Sequence, residues 1–328
     1  VIRAATKEAL SEAALRIRSG ELVAFPTETV YGLGANAFDE AAVTGIYKAK
    51  GRPSSNPLIV HIARFEDISL VADLKADPIA AQRLNKVKHF WPGPLSVVLP
   101  KALNIAPATC AGLQTVAVRI PNHPVALALI REAGVPIAAP SANPANYISP
   151  TSAEHVAAQL ANSVDFILDG GAASVGLEST IVSLVGKAPR LLRHGAITSE
   201  ELKLIFPDLE TSSSESMSCS TPLAPGMLKE HYTPRTPTKL LAHAATNRSL
   251  ARTGLIAFSS ETPNLQQFAH VQLLSKDGDL VEIASKLFAA LRNLDEMGLD
   301  LILVDSCPAA GLGAAIMDRL LRATAKYS

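Results

Sequence analysis

The stretch Phe25-Pro26-Thr27-Glu28-Thr29-Val30-Tyr31-Gly32-Leu33-Gly34 follows the short apolar run Leu22–Phe25 and leads on to Lys50-Gly51-Arg52-Pro53 and Asn56-Pro57. The apolar run reads as a buried strand. The chain leaves it through a proline, hydroxyls, a glutamate and two glycines, the residue types that let backbone approach a polar ligand closely. With the basic pair Lys50 and Arg52 following, this predicts a pocket for a small polar substrate beside a phosphate.

Working outward, further strands are expected at Leu58–Ile62, Leu95–Leu99, Val116–Ile120, Ile137–Ala139, Phe166–Leu168, Thr180–Leu184 and Arg190–Arg193. Helices are expected at Ala4–Arg18, Ala41–Lys50, Pro78–His89, Pro124–Ala133, Ser152–Leu160 and Ser199–Ile205, the first two closed by Gly20 and Gly51. Strands outnumber helices, so this half reads as α/β of the α+β kind, with a twisted, partly antiparallel sheet. Residues 1–206 are assigned to it.

Residues 207–237, dense in serine and proline, read as a linker. Its second half, with Pro225-Gly226-Met227 and His231-Tyr232-Thr233-Pro234, is too rich in large and polar residues for a passive tether and reads as functional. Residues 238–328 alternate strand (Gly254–Phe258, Val271–Leu274, Leu299–Val304) and helix (Asp279–Glu296, Gly313–Ala325), which predicts a small, Rossmann-like parallel α/β domain. No Gly-x-Gly-x-x-Gly fingerprint opens it, and Gly311-Leu312-Gly313 reads equally as a helix start and as a ligand turn.

The composition narrows the function classes. Apolar residues make up 48% of 328, enough for sizeable cores. Lys plus Arg and Asp plus Glu both number 30, so there is no basic excess of the kind that clamps long nucleic acid; phosphate binding should be local. Cys110, Cys219 and Cys307 lie far apart without metal-site spacing, which argues against a disulfide framework or zinc centre and for a reducing cytosol. No apolar stretch is long enough to span a membrane and no signal peptide is visible; Val1 in place of methionine fits a trimmed terminus. The expectation is a soluble cytoplasmic protein.

Several polar residues sit at strand borders. Lys50 and Arg52 would suit the dipole at a helix C-terminus, but the adjoining Ser54-Ser55-Asn56-Pro57 and His61 extend them into a phosphate-binding loop. His61 reads equally as a core histidine and as a ligand. Arg119, set in the apolar run Thr115–Pro121, must find a partner or face a polar cavity, where a substrate carboxylate would serve. Pro140-Ser141-Ala142-Asn143, Ser149-Pro150-Thr151, Gly176-Leu177-Glu178-Ser179-Thr180 and Arg193-His194-Gly195 add further polar borders. Each alone could be turn or cap chemistry; their recurrence at strand ends of one domain points to a shared site.

Together, Phe25–Gly34, Lys50-x-Arg52, Ser141-x-Asn143, Ser149-Pro150-Thr151 and Ser179-Thr180 resemble the threonylcarbamoyl-AMP synthase family, with its YrdC-like fold. The linker and tail resemble the longer, two-domain form. The resemblance implies a twisted mixed sheet around a concave, positively charged cavity. It implies that L-threonine, bicarbonate and ATP with Mg²⁺ give threonylcarbamoyl-AMP and pyrophosphate. The product would pass to a separate tRNA threonylcarbamoyl transferase, with at most weak tRNA contact. Carried over by position, Thr29, His61, Arg119, Ser179 and the backbone at Ala139 match the threonine contacts. Arg52, Asn56, Thr115, Ser141, Ser149 and Arg193 match the ATP contacts. Lys50 and Asn143 complete signature pairs, with Lys50 and Arg52 supplying charge at the phosphates, and Tyr232 matches a tyrosine closing over the nucleotide. Glu28 reads as orienting the loop or a neighbouring cation.

The chain departs from the family at Pro144-Ala145-Asn146, where a Ser-Gly pair is more usual, and at Leu228-Lys229-Glu230, where the linker is usually more basic and aromatic. Other readings are an RNA-binding module of the same fold and a carbamoyl-transfer domain. The zero net charge opposes the first; the lack of zinc-finger cysteines and extra domains opposes the second.

Overall fold

In a computed structural model, residues 1–211, 224–225, 231–243 and 250–327 are described. The linker stretch Leu228-Lys229-Glu230 and Cys219 lie outside them.

The larger sheet runs β1-β8-β2-β3-β7-β4-β6-β5-β9-β10-β11. Its strands are β1 (Ile2–Ala4), β2 (Val23–Phe25), β3 (Gly32–Asn36), β4 (Ile59–His61), β5 (Leu95–Pro100), β6 (Thr115–Arg119), β7 (Ile137–Ala138), β8 (Ile167–Asp169), β9 (Thr180–Ser183), β10 (Arg190–Arg193) and β11 (Glu210–Thr211). It is mixed as expected: β2–β3, β3–β7 and β5–β6 pair antiparallel, β4–β6 and β5–β9 parallel.

Its helices form where capping and apolar spacing agree. They are α1 (Lys7–Arg18), α2 (Glu40–Lys50), α3 (Pro78–Val87), α4 (Pro124–Ala133), α5 (Ala153–Leu160) and α6 (Ser199–Ile205). Asp39 caps α2 through the amides of Ala41 and Ala42, and Gly51 ends it in the left-handed conformation (φ 61°). One face of the sheet packs Val23, Phe25, Ile137 and Leu168 against Ala13, Ala14 and Ile17 of α1 and Leu129 and Ala133 of α4. The alternate residues, Ala24, Leu33, Ala35 and Val60, join the core on the other face.

Two local expectations change. The first helix begins at Lys7, behind the Thr6 cap, because Ile2–Ala4 pairs with Ile167–Asp169 as an edge strand. And Gly32–Gly34 is not loop: it opens β3. A Cβ at Gly34 would stand 2.8 Å from both Phe25 Cε1 and Ile137 Cγ2. That glycine makes room for the Phe25 ring, which in turn meets His61 edge-on at 6.1 Å between centroids.

The smaller sheet is entirely parallel, in the order β12-β15-β13-β14, from β12 (Thr238–Leu240), β13 (Thr253–Ala257), β14 (His270–Leu273) and β15 (Leu301–Val304). Helices α7 (Leu280–Asp295) and α8 (Leu312–Thr324) accompany it. Its core does not close on itself: Val30, Ile148 and Leu177 of the larger unit share one apolar cluster with Tyr232, Phe288 and Leu320. At Gly176 (φ 73°) a Cβ would meet the Ser285 backbone at 2.5 Å, so the closeness of α7 depends on that glycine. No helix among the described residues is long and apolar enough to cross a membrane.

Candidate active site

The strand ends converge on one cavity, whose wall includes Thr27, Thr29, Gly32, Arg52, Ile59, His61, Arg119, Ala139, Ser141, Glu178, Ser179, Arg193, Pro225, His231 and Tyr232. The register explains the grouping. Residues His61 and Arg119 are direct partners across the parallel β4–β6 pair, and the antiparallel β7, beside β4, leads into Ala139, whose amide donates to the carbonyl of Ile59 on the same wall.

One side of the cavity centres on Arg119, which is buried. Its Nη1 donates to Thr29 Oγ1 at 2.8 Å, its Nε to the Gly93 carbonyl at 3.2 Å, and its Nη2 lies 2.7 Å from Glu28 Oε1. The Thr27 hydroxyl donates to the Val30 carbonyl at 2.6 Å, so at the 2.8 Å Thr27–Thr29 contact the Thr29 hydroxyl is the donor. This relay fixes the exit loop and leaves guanidinium N–H groups for a further acceptor. Glu28 thus orients a neighbouring cation, as its place in the loop suggested. Burial, then Arg119, pulls the His61 pKa down to about 3, so the imidazole is neutral near pH 7.

The opposite side carries Arg52 and Arg193. Arg52 donates to the carbonyls of Asn56 and Pro57 at 3.1 and 2.9 Å. Arg193 donates to the Ser179 carbonyl at 3.0 Å, to Ser179 Oγ at 3.1 Å and to the Pro225 carbonyl at 3.2 Å. Burial lowers both guanidinium pKa values to about 10, leaving them charged at neutral pH. Between the arginines and the smaller unit stand Glu178, His231 and Tyr232. Tyr232 holds a left-handed backbone (φ 61°), costly for so bulky a residue. Its ring stacks on Phe288 at 5.4 Å. The Tyr232 hydroxyl and His231 Nδ1 are buried with no hydrogen-bond partner among the described residues.

The structure therefore gathers Thr29, Arg52, His61, Arg119, Ala139, Ser141, Ser179, Arg193 and Tyr232 around one cavity. It treats the other expected residues differently. Lys50 does not line the cavity; its Nζ donates to the Ser141 carbonyl at 2.5 Å and to the Asn143 carbonyl. Burial, then Arg52, holds its pKa well below that of a free lysine. It ties the Ser141–Asn143 turn from behind. Asn56 and Asn143 stand behind the wall, each with a buried Oδ1 lacking a partner among the described residues. Ser149 is turned toward Glu178, donating to Oε1 at 2.5 Å. Thr115 begins the strand that ends in Arg119, roughly 13 Å away at about 3.3 Å per residue, and lies outside the lining. The unusual Asn146 sits at φ 64°, a conformation asparagine tolerates where glycine is commoner, and its carbonyl accepts from Thr233 N at 2.8 Å.

Glu178 and His231 were not expected as site residues, although Glu178 lies in a stretch that stood out as a polar strand border and His231 in the linker half that stood out as functional. Arg319, which donates through Nε to Glu178 Oε2 at 2.8 Å from α8, carried no sequence signal: it is one arginine on an amphipathic helix.

A family model described as "Telomere recombination" (Sua5_yciO_yrdC) matches residues 16–195. A second, described as "Threonylcarbamoyl-AMP synthase, C-terminal domain", matches residues 197–325. The threonylcarbamoyl-AMP synthase of Bacillus subtilis strain 168 is 43% identical over 324 residues, covering 96% of this chain and 92% of that protein. The synthase of Pyrococcus abyssi is 44% identical over 315 residues, covering 94% and 92%. Among solved structures, that of P. abyssi Sua5 complexed with L-threonine superposes with a TM-score of 0.86 at 39% identity, covering 100% of this chain and 98% of that one.

Proposed function

The chain belongs to the threonylcarbamoyl-AMP synthase family in its two-domain form, and we propose that its cavity seats L-threonine against Arg119 and ATP against Arg52 and Arg193. It is a nucleotidyltransferase-type enzyme serving threonylcarbamoyl-adenosine modification of tRNA. The observation that carries the assignment of the two sides is the placement of three arginines around one polar cavity, one of them relayed to Thr29.

Threonine's carboxylate takes the free N–H groups of Arg119, and Thr29, Ser179, neutral His61 and the backbone at Ala139 surround the rest of the amino acid. The surrounding guanidinium charges favour the neutral amine over ammonium, which is the form that captures bicarbonate as a carbamate with loss of water. The carbamate oxygen attacks the α-phosphate in line and pyrophosphate departs. That step needs positioning and neutralised charge more than a side-chain nucleophile. Arg52 and Arg193 supply the charge, Ser141 and Tyr232 border the nucleotide, and Lys50, Asn56, Asn143 and Ser149 hold the wall in shape.

Mg²⁺ fits as an ion carried by the nucleotide. Glu28 and Glu178 are engaged by Arg119 and Arg319, and no group of three metal-ligating side chains occurs among the described residues. Mg²⁺ favours phosphate and water oxygens, and it would add charge neutralisation at the phosphates. We take residues 1–206 as the catalytic domain, 207–237 as a linker over the nucleotide and 238–328 as the small domain. The product passes, in the cytoplasm, to a separate tRNA threonylcarbamoyl transferase, and direct tRNA contact is weak. Release of pyrophosphate from ATP that depends on threonine, with Mg²⁺ and bicarbonate present, tests the reading. Its absence in purified protein refutes it.

A further inference from the structure

Arg319 belongs to the small domain, yet its guanidinium lies against the cavity wall of the large one. Its side chain is 0% exposed. Besides the bond to Glu178, Nη2 donates to the His194 carbonyl at 2.8 Å and Nη1 to Asp318 Oδ2 at 2.6 Å, and Cζ lies 5.3 Å from the Tyr232 ring centroid. Glu178 and Tyr232 line the cavity; Arg319 does not. Around Glu178 stand Arg319 on one side, Arg193 on another, the Ser149 hydroxyl on its second oxygen, and His231 and Tyr232 toward the cavity.

A buried carboxylate on a wall that receives a triphosphate is a liability. It must be balanced by a cation or become protonated. Burial pushes the Glu178 pKa up, but Arg319 and then Arg193 outweigh it and hold the carboxyl at about 2. It is therefore ionised and paired. The same guanidinium braces the face of Tyr232.

We propose that Arg319 is a positioning residue for the nucleotide half of the reaction: it neutralises Glu178 and fixes Tyr232, so that the small domain completes the active site. The inference rests on the assignment of ATP to this side of the cavity. The small domain is then not an appendage, because the large domain alone would leave Glu178 facing ATP with its strongest cationic partner removed and Arg193 shared between the carboxylate and the phosphates.

The test uses full-length Arg319→Met, Arg319→Lys, Glu178→Gln and the Arg319→Met/Glu178→Gln double variant, with the KM for ATP and for threonine measured separately from pH 8 to 5.5. Arg319→Met should raise the ATP KM at least tenfold at pH 8 while the threonine KM stays within twofold. Relative to the unaltered enzyme, that defect should shrink toward pH 5.5 as Glu178 takes up a proton. The double variant should bring the ATP KM to within threefold of Glu178→Gln alone and lose the pH trend. A double variant no better than Arg319→Met, or equal changes in both KM values, overturns the proposal.

Should Arg319→Met fail to fold, Arg319→Lys keeps the charge and loses the fork. A three- to tenfold rise confined to the ATP KM supports the proposal; equal rises in both refute it. An active wild-type chain indifferent to Arg319 refutes this inference alone. A wild-type chain without threonine-dependent pyrophosphate release refutes the assignment beneath it, and calorimetric ATP binding without threonine still reads the Arg319 effect.

Discussion

Protonation of His61 should make the fold acid-sensitive by a calculable amount. His61 is 4% exposed on β4, which lies between β6 and β7, with Phe25 edge-on to its imidazole and Arg119 as its strand partner. Burial first, and Arg119 second, depress its folded pKa to about 3 from 6.5. The sign follows from proton counting. Between pH 6.5 and 3 the unfolded chain binds a proton that the folded chain refuses, so stability falls as pH falls. The contribution is fully present above 6.5, is lost progressively below it, and is gone below about pH 3. At about 1.4 kcal/mol per pH unit, moving from pH 7.5 to 4.5 should cost about 2.7 kcal/mol through this group alone. The assay is urea unfolding of the unaltered chain and of His61→Gln at half-unit steps across that range. The variant is less stable at pH 7.5 in proportion to its altered packing, and the gap should close by about 2.7 kcal/mol at pH 4.5. His231, also held at about 3 by burial, contributes equally to both proteins and cancels. Parallel stability curves would refute the reasoning, because they would mean that the folded state accepts the proton at His61.

Gly34→Ala should destabilise by about 1–3 kcal/mol in thermal or urea unfolding, since its Cβ has no room between Phe25 and Ile137; an unchanged midpoint contradicts that. Arg119→Met should cost roughly 3–5 kcal/mol by leaving Glu28 buried without its partner, and adding Glu28→Gln should recover most of the stability but not threonine use. Recovery of both by the double variant would sink the carboxylate role of Arg119. Deleting residues 222–328 uncovers Val30, Ile148 and Leu177 and removes Arg319. Turnover should drop by an order of magnitude or more in steady-state assays, and full activity in the truncated chain would show that the small domain is dispensable.

Much of the site was legible because its residues sit beside strands whose apolar periodicity is strong. Val116–Ile120 reads as buried from its side chains alone, and an arginine inside it demands a partner. The chain itself names the candidate loop at Phe25–Gly34. Elsewhere the same signals misled. Gly32 does line the cavity, but Gly34 looked like a ligand-approach glycine and its deciding neighbour is the Phe25 ring on the adjoining strand. Lys50 looked like a phosphate ligand; its ammonium instead satisfies two backbone carbonyls nearly a hundred residues on.

Local sequence determined the elements and the inventory: strands by alternation and β-branched runs, helices by caps and closing glycines, and the polar residues placed at strand ends. Those choices depend on neighbours within a few residues. Tertiary structure alone decided which polar groups face one another. Glu178 and Arg319 are 141 residues apart and meet at 2.8 Å because α7 and α8 pack on the loop that carries Glu178. Ion pairs and hydrogen bonds act over a few ångströms in space, and nothing in the spacing of two residues along a chain records that distance.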